Sequence, residues 1–418
     1  MTAIEFYDTS PIENAICAIT TVPEKIIFLG DGSAMEKFDC VFRPILGERH
    51  PDTKIEYKSV NRNSLNEMVE KLSAIVNEEE ECLFDLTGGE DLALVAMGIV
   101  YEKYRHTGKI QMQRLNVNSG VIYDCDGDGN LNVASTPILS VEENIKLHGG
   151  VVRYSALDEV RTRKWDMNEE FRRDIDKLWE ICRKNPGRWN NSIKLLAALE
   201  GDMEKNDELD SELISAAADA VIEDRNGYVY TLRDFLLELQ DQDVIFGYHE
   251  DDEVLTFVYK NSEIKKCLAK EGTLLELKVY STATEVKDKN VKPVFTDAMC
   301  GVFIDWDGEL HDRLDDEHDT ENEIDVVLMK GVMPVFISCK NGTIDGEELY
   351  KLDAVARRFG GKYVKKVLIA TYLGRKADSD SMKHLRQRAK DMKINFIDGV
   401  HTLDSGEFYK MLRNITSN

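Results

Sequence analysis

A chain of 418 residues, 42% of them hydrophobic, is too long for one comfortable core and apolar enough to fill two or three. Its 78 Asp and Glu against 53 Lys and Arg leave a net charge of −25, which argues against generic electrostatic binding to nucleic acid and requires any such site to be local. No apolar run reaches the roughly 20 residues of a spanning helix, residues 1–8 carry no leader-like pattern, and eight scattered cysteines form no C-x-x-C pair. The expectation is a cytoplasmic protein with no membrane partner, no disulfide framework and no zinc site, its cysteines serving as small apolar residues.

Residues 1–148 alternate short apolar or β-branched runs with helical periodicity. Strands are expected at 4–7, 25–29, 54–58, 81–84 and 111–116, with helices at 12–20, 35–46, 65–76 and 91–104 between them. This order predicts a Rossmann-like parallel sheet whose ligand loops lie beyond the carboxyl ends of the strands. Residues 120–130 read as a hairpin. Its Asp124, Asp126, Asp128 and Gly129 imitate the start of a calcium loop, but Ser135 stands where the bidentate Glu belongs.

Residues 149–260 change character. Helices are expected at 168–184 and 208–223, with a break at Pro186-Gly187, then a helix at 232–239 and strands at 244–248 and 254–259. Helices followed by a β-hairpin suit a winged-helix-like connector; an irregular helical linker is the alternative. Residues 261–418 form a third, mixed α/β unit: a helix at 264–282, strands at 301–306, 323–330 and 333–340, a helix at 346–359 and a strand at 366–372.

Three loops of the first unit carry chemistry. In Asp85-Leu-Thr-Gly-Gly-Glu-Asp91, Gly88 and Gly89 permit a tight turn before a helix, where free amides, the helix dipole and the Thr87 hydroxyl would favour an anion. Asp8, Thr9, Ser10 and Pro11 make a comparable turn, with Pro11 starting a helix. Gly30 and Asp31 open a third loop at the same edge, without a dinucleotide fingerprint. Each alone reads more often as a structural cap. Together, the opening Ile4-Glu-Phe-Tyr-Asp-Thr-Ser-Pro-Ile-Glu-Asn14 and the Asp85 to Gly89 motif resemble CARF domains of type III CRISPR effectors. The resemblance implies a homodimer that cradles a cyclic oligoadenylate, such as cyclic tetra-adenylate, as activator. Glu90 and Asp91 stand where many CARF domains have Thr-Lys, placing two carboxylates near a polyphosphate ring.

In the third unit, residues 322–328 and 335–340 read as two strands of a hairpin turning at Lys330-Gly331. Residues two apart share a strand face, so Ser338 and Lys340 point together, and Asp325 on the neighbouring strand joins them. A carboxylate to hold Mg²⁺ or Mn²⁺ and a lysine to support phosphate or nucleophile is workable chemistry for phosphodiester cleavage. An ordinary cross-strand ion pair uses the same residues. The D-x(12)-S-x-K spacing resembles a PD-(D/E)XK nuclease core in which Ser338 replaces the usual acid. Gly272-Thr-Leu-Leu-Glu276 is similar to the helix that feeds an acid into such centres, so the resemblance implies Glu276 as second carboxylate, with Glu323, Glu347 and Glu348 as further suppliers.

The expectation is therefore an α/β protein with a CARF ligand-sensing domain (1–148), a connector (149–260) and a restriction-endonuclease-like domain (261–418). It would be a ligand-activated, metal-dependent endonuclease cutting DNA or RNA. A non-catalytic, ligand-sensing regulator is the alternative, for which the basic residues Arg161, Arg163, Lys164, Arg172, Arg173, Arg183, Lys184 and Arg188 offer a modest DNA-binding patch. Residues 331–400 hold 14 Lys and Arg against 8 Asp and Glu, either a local nucleic-acid site or a solvated mixed surface. Eleven acids crowd 305–325, opposed by Arg313 alone.

Overall fold

The computed structural model describes residues 1–116, 119–125, 131–155, 162–200, 209–223, 229–251, 253–308, 320–342, 344–371 and 380–416. The first unit alternates as its periodicity predicts: β1 (Thr2–Phe6), α1 (Pro11–Thr21), β2 (Lys25–Gly30), α2 (Gly32–Arg49), β3 (Lys54–Ser59), α3 (Leu65–Glu78), β4 (Cys82–Asp85), α4 (Asp91–Tyr104) and β5 (Ile110–Asn116). These strands pair in parallel. The antiparallel strands β6 (Val121–Cys125) and β7 (Leu131–Ser135) extend the sheet to the order β3-β2-β1-β4-β5-β6-β7. The expected hairpin thus runs on to Ser135, while Asp126, Asp128 and Gly129 of the calcium-loop imitation lie outside the described residues. Strand order reverses between β1 and β4, so the loops after these two strands flank the topological switch point.

After α5 (Val141–Leu147), β8 (Val151–Arg153) pairs with the C-terminal sheet and forms its edge. The middle segment comprises α6 (Glu169–Lys184), α7 (Pro186–Glu200), β9 (Asp210–Ile214), α8 (Ser215–Ala218), β10 (Val221–Glu223), β11 (Val229–Thr231), α9 (Leu232–Asp241), β12 (Ile245–Glu250) and β13 (Val254–Tyr259). Its three-stranded sheet has the order β12-β13-β9, which with α7, α8 and α9 makes a winged-helix-like module. The helix expected at 208–223 is instead β9, α8 and β10. Ser211 and Leu213 are buried while Glu212 and Ile214 are exposed, and this period of two, satisfied by pairing with β13, overrides helix propensity.

The third unit contains α10 (Ser262–Cys267), α11 (Thr273–Glu285), β14 (Asp297–Asp305), β15 (Glu321–Lys330), β16 (Met333–Lys340), α12 (Gly346–Gly360), β17 (Lys365–Ala370), α13 (Asp380–Asp391), β18 (Ile394–Ile397) and α14 (Ser405–Arg413). The single helix expected at 264–282 is two: α10 ends at its C-cap Leu268 and α11 starts after its N-cap Gly272. Its sheet has the order β18-β17-β16-β15-β14-β8.

This sheet joins the molecule. Along β16, Val335, Ile337 and Cys339 pack into a core shared with Trp179, Trp189 and Phe235 of the middle segment and with α11. Phe336, on the opposite face, packs in a second core with α12 and with Ile12, Ile16 and Phe42 of the first unit. Alternation on one strand therefore binds both neighbours, and Phe336→Ala should cost about 3–5 kcal/mol. The cysteines form no disulfide among the described residues, and all are buried except the exposed Cys40 and half-buried Cys125. Among the described residues, no helix is long and apolar enough to cross a membrane.

Candidate functional sites

Asp325 stands on β15 beside the rung at which Val326 pairs with Ile337 of β16. Its carboxylate accepts the Cys339 backbone N–H at 2.5 Å and the Ser338 hydroxyl at 3.2 Å. Across β14, Gly301 adopts φ +61° between the rungs Cys300–Val326 and Val302–Ile324. Cys300 and Val326 lie in one core and Val302 and Ile324 in the other, so the strand pair changes faces at this point, and a left-handed glycine makes the change possible. Asp325 sits at that crossover.

Ser338 and Lys340 share the face of Phe336, towards α12, as the strand period requires. With Asp325, Glu323, Glu348 and Lys351 they line a cleft of about 480 Å³. The Lys340 ammonium lies 3.0 Å from a Glu348 carboxylate oxygen. Burial lowers the Lys340 pKa, but the charges of Asp325 and Glu348 outweigh it, and the ammonium is held above its ordinary range.

Glu276, in the first turn of α11, is 7% exposed and does not line that cleft; α11 packs in the core on the other side of the sheet. It lies within electrostatic reach of the same residues. Burial, and then the negative charge of Asp325, push its carboxyl pKa upward; Asp325 is raised by burial, against the pull of Lys340. The broken helix sets Lys270 3.4 Å from Glu323. The structure thus brings Asp325, Ser338 and Lys340 together, puts Glu323 at the rim, and leaves Glu276 nearby on another element; Glu347 takes no place in the cleft lining. Among the described residues, no three His, Cys, Asp or Glu side chains form a ready-made metal group. Two buried carboxylates raised by desolvation, with a hydroxyl beside one of them, are nevertheless an oxygen donor set that suits a hard divalent cation.

Sequence reasoning missed three contributors. The Cys339 amide is invisible to any side-chain motif. Lys270 required knowledge of the helix break. Asn341, next to the candidate lysine, donates its amide to Asn190 Oδ1 at 2.6 Å and accepts the Thr371 hydroxyl at 2.8 Å, tying the end of β16 to α7 and β17. An asparagine directly after Lys340 was the available clue.

At the switch point of the first sheet, Asp8 closes the loop after β1. Its carboxylate accepts the Ser10 N–H at 2.9 Å and, across to the loop after β4, the Gly89 N–H at 3.2 Å. Pro11 opens α1 behind Thr9 and the N-cap Ser10. Gly88 and Gly89 lie against Phe6, and at φ +93° any side chain in place of Gly89 would be strained. The Thr87 hydroxyl donates to Asp85 and accepts from the Leu115 N–H at 2.8 Å, so it is engaged within the fold. Asp31 caps α2, following Gly30, where an added β-carbon would lie 2.9 Å from that of Tyr7. Of the two carboxylates expected near the ligand, Glu90 pairs with Arg62 at 3.0 Å. Beneath these loops Glu5, Asp85 and Gln113 occupy adjoining rungs of β1, β4 and β5, all buried.

Three of the connector's basic residues are held within the fold. Arg172 donates to Ser281 and Thr284 of α11, Arg183 to the His401 and Leu403 carbonyls, and Arg188 pairs with Glu238. Arg161 and the acids between 309 and 319 lie outside the described residues.

No protein-family model matches the chain, and no curated protein matches it. Among solved structures, protein VC1899 from Vibrio cholerae is similar over 100% of this chain and 96% of its own, at 18% identity and a TM-score of 0.70. Can2 from Sulfobacillus thermosulfidooxidans, solved in complex with cyclic tetra-adenylate, is similar over 99% of this chain and 95% of its own, at 16% identity and a TM-score of 0.62. The shared fold spans all three units: the Rossmann-like domain, the winged-helix-like module and the C-terminal α/β domain.

Proposed function

We propose that this protein is a cyclic-oligoadenylate-activated, metal-dependent endonuclease of type III CRISPR defence, working as a homodimer on DNA or RNA. The observation that carries this reading is the buried Asp325 joined to Ser338 and the Cys339 amide, with Lys340 in the same cleft. It lies in a chain whose first sheet sets two loops at a topological switch point. Likeness of fold to Can2, which binds cyclic tetra-adenylate, supports the activator. The outward face of α4, where Leu94, Val95 and Ile99 are exposed beside the ligand loop, supports pairing with a second copy.

Asp325 and Glu323 in the cleft, with Glu276 from α11 as a further carboxylate, would hold Mn²⁺ or Mg²⁺, which would supply Lewis-acid stabilisation and a more acidic water. Ser338 and the Cys339 amide orient the Asp325 carboxylate. Lys340, positioned by Glu348 and charged at neutral pH, offsets negative charge developing on the scissile phosphate. Asp8, Ser10, Gly88 and Gly89 shape the activator loops. Ligand binding gates cutting only if it favours the active arrangement over the resting one. The test is incubation with Mn²⁺ and single- or double-stranded substrates, with and without cyclic tetra-adenylate; equal cutting in both arms removes the gating.

Ser338 in place of an acid, and the lack of a ready-made three-ligand group among the described residues, favour one second reading, a non-catalytic regulator. Calorimetry with divalent ions on wild type, Asp325→Ala and Glu276→Ala separates the two, since a regulator binds no ion at this site.

A further inference from the structure

We infer that the C-terminal domain carries a second nucleic-acid contact, a basic groove at the end of its sheet away from the cutting cleft, which fits a single-stranded phosphodiester backbone. The groove has a volume of about 1160 Å³ and runs past the amino ends of β17 and β18. Lys365, Lys390 and Lys393 line it, the last two exposed and without an ion pair among the described residues. Arg357, Lys362, Lys366 and Arg386 also line it, but each has an acid: Asp353 for Arg357 and Lys366, Glu13 for Lys362, Asp398 for Arg386. Asp391 is the one acid among the lining residues. Leaving Lys365 out of the balance, six cations against these four acids still make a positive surface on a chain of net charge −25.

A local cationic excess of this kind meets the requirement that the overall charge imposes on any nucleic-acid contact. The half-buried ring of Phe396, also in the lining, adds a face on which a base can stack; cations interleaved with an aromatic suit a single strand better than an acidic peptide. The groove is separate from the cutting cleft. Along the parallel pair β16–β17, Val335 is opposite Lys365 and Lys340 opposite Ala370, so five residues, or about 17 Å at roughly 3.3 Å each, separate the two ends. The inference rests on the nucleic-acid-cutting reading for its substrate class, but its readout is binding.

The test is fluorescence anisotropy of a labelled single strand of about 20 nucleotides with the full-length protein in EDTA, titrated with salt. Lys390→Ala/Lys393→Ala should flatten the dependence of log affinity on log salt by about 1.4, since each phosphate contact contributes about 0.7 for single strands. The charge-matched Lys37→Ala/Lys103→Ala should leave the slope as in wild type, and Phe396→Leu should weaken binding at unchanged slope. A wild-type slope in Lys390→Ala/Lys393→Ala overturns the inference, as does absence of wild-type binding. Equal displacement by polyglutamate of matched charge also overturns it, in favour of an acidic peptide. If the groove binds as expected while Mn²⁺ elicits no cutting, the nuclease reading fails and the groove stands.

Discussion

Lys362, in the turn before β17, places its ammonium 2.5 Å from the carboxylate of Glu13 on α1, and the Tyr363 hydroxyl donates to the same carboxylate. Glu13 is 4% exposed, and a β-carbon on Gly88 would lie 3.6 Å from its own. One buried acid therefore touches both the loop proposed to hold the activator and the domain proposed to cut. Glu13→Gln should retain activator binding but lower the ratio of stimulated to basal cleavage at least about fivefold, the lower end of ordinary coupling energies. Cleavage assays beside activator calorimetry check it; an unchanged ratio removes Glu13 from the coupling.

Asp325→Asn keeps an oxygen for the Cys339 N–H while removing the charge. Cleavage should fall by roughly 10²–10³-fold or more, with the melting temperature held or raised because a buried carboxylate is gone. Ser338→Ala, which removes an orienting hydroxyl, should cost less than about tenfold. A Ser338→Ala loss equal to that of Asp325→Asn would make Ser338 a direct participant.

Thr87 bridges Asp85 and the Leu115 N–H through one hydroxyl. Thr87→Val should lower unfolding free energy by about 1–3 kcal/mol, leaving buried polar groups without a partner, while Thr87→Ser should be near neutral. Denaturant titration reads this. Loss of activator affinity without loss of stability would show the hydroxyl contacts ligand.

The Glu5–Asp85 row makes stability pH-dependent. Burial lifts Asp85 from 3.8 to about 6 and lifts Glu5 well above its ordinary value, with the Asp85 charge as second cause. The folded state thus holds these protons more tightly than the unfolded chain. Their contribution is fully present below about pH 4 and is lost as pH rises through the folded values; for Asp85 that window is about pH 4–6. Glu5→Gln should raise the melting temperature at pH 8 by several degrees and by less at pH 5. Thermal melts at the two pH values suffice, and an equal drop at both would refute the assignment.

The β/α alternation up to residue 116 and the shared face of Ser338 and Lys340 were legible because they depend on periods of 3.6 and 2 that local sequence carries. The 208–223 segment was not, since its strand exists only through pairing with β13. Nor could spacing decide how Glu276 stands to Asp325, because that depends on a helix break at Gly272 and on which sheet face α11 covers.

By itself, the sequence determined which segments become strands and helices in the outer units, which loops fall at the sheet edge, and which side chains share a strand face; these follow from backbone sterics and short-range periodicity. Only the tertiary structure decided that one sheet packs against both neighbours, that β8 joins that sheet from another part of the chain, and that Glu13 meets Lys362. Those relations arise from burial between segments hundreds of residues apart, where no local period reaches.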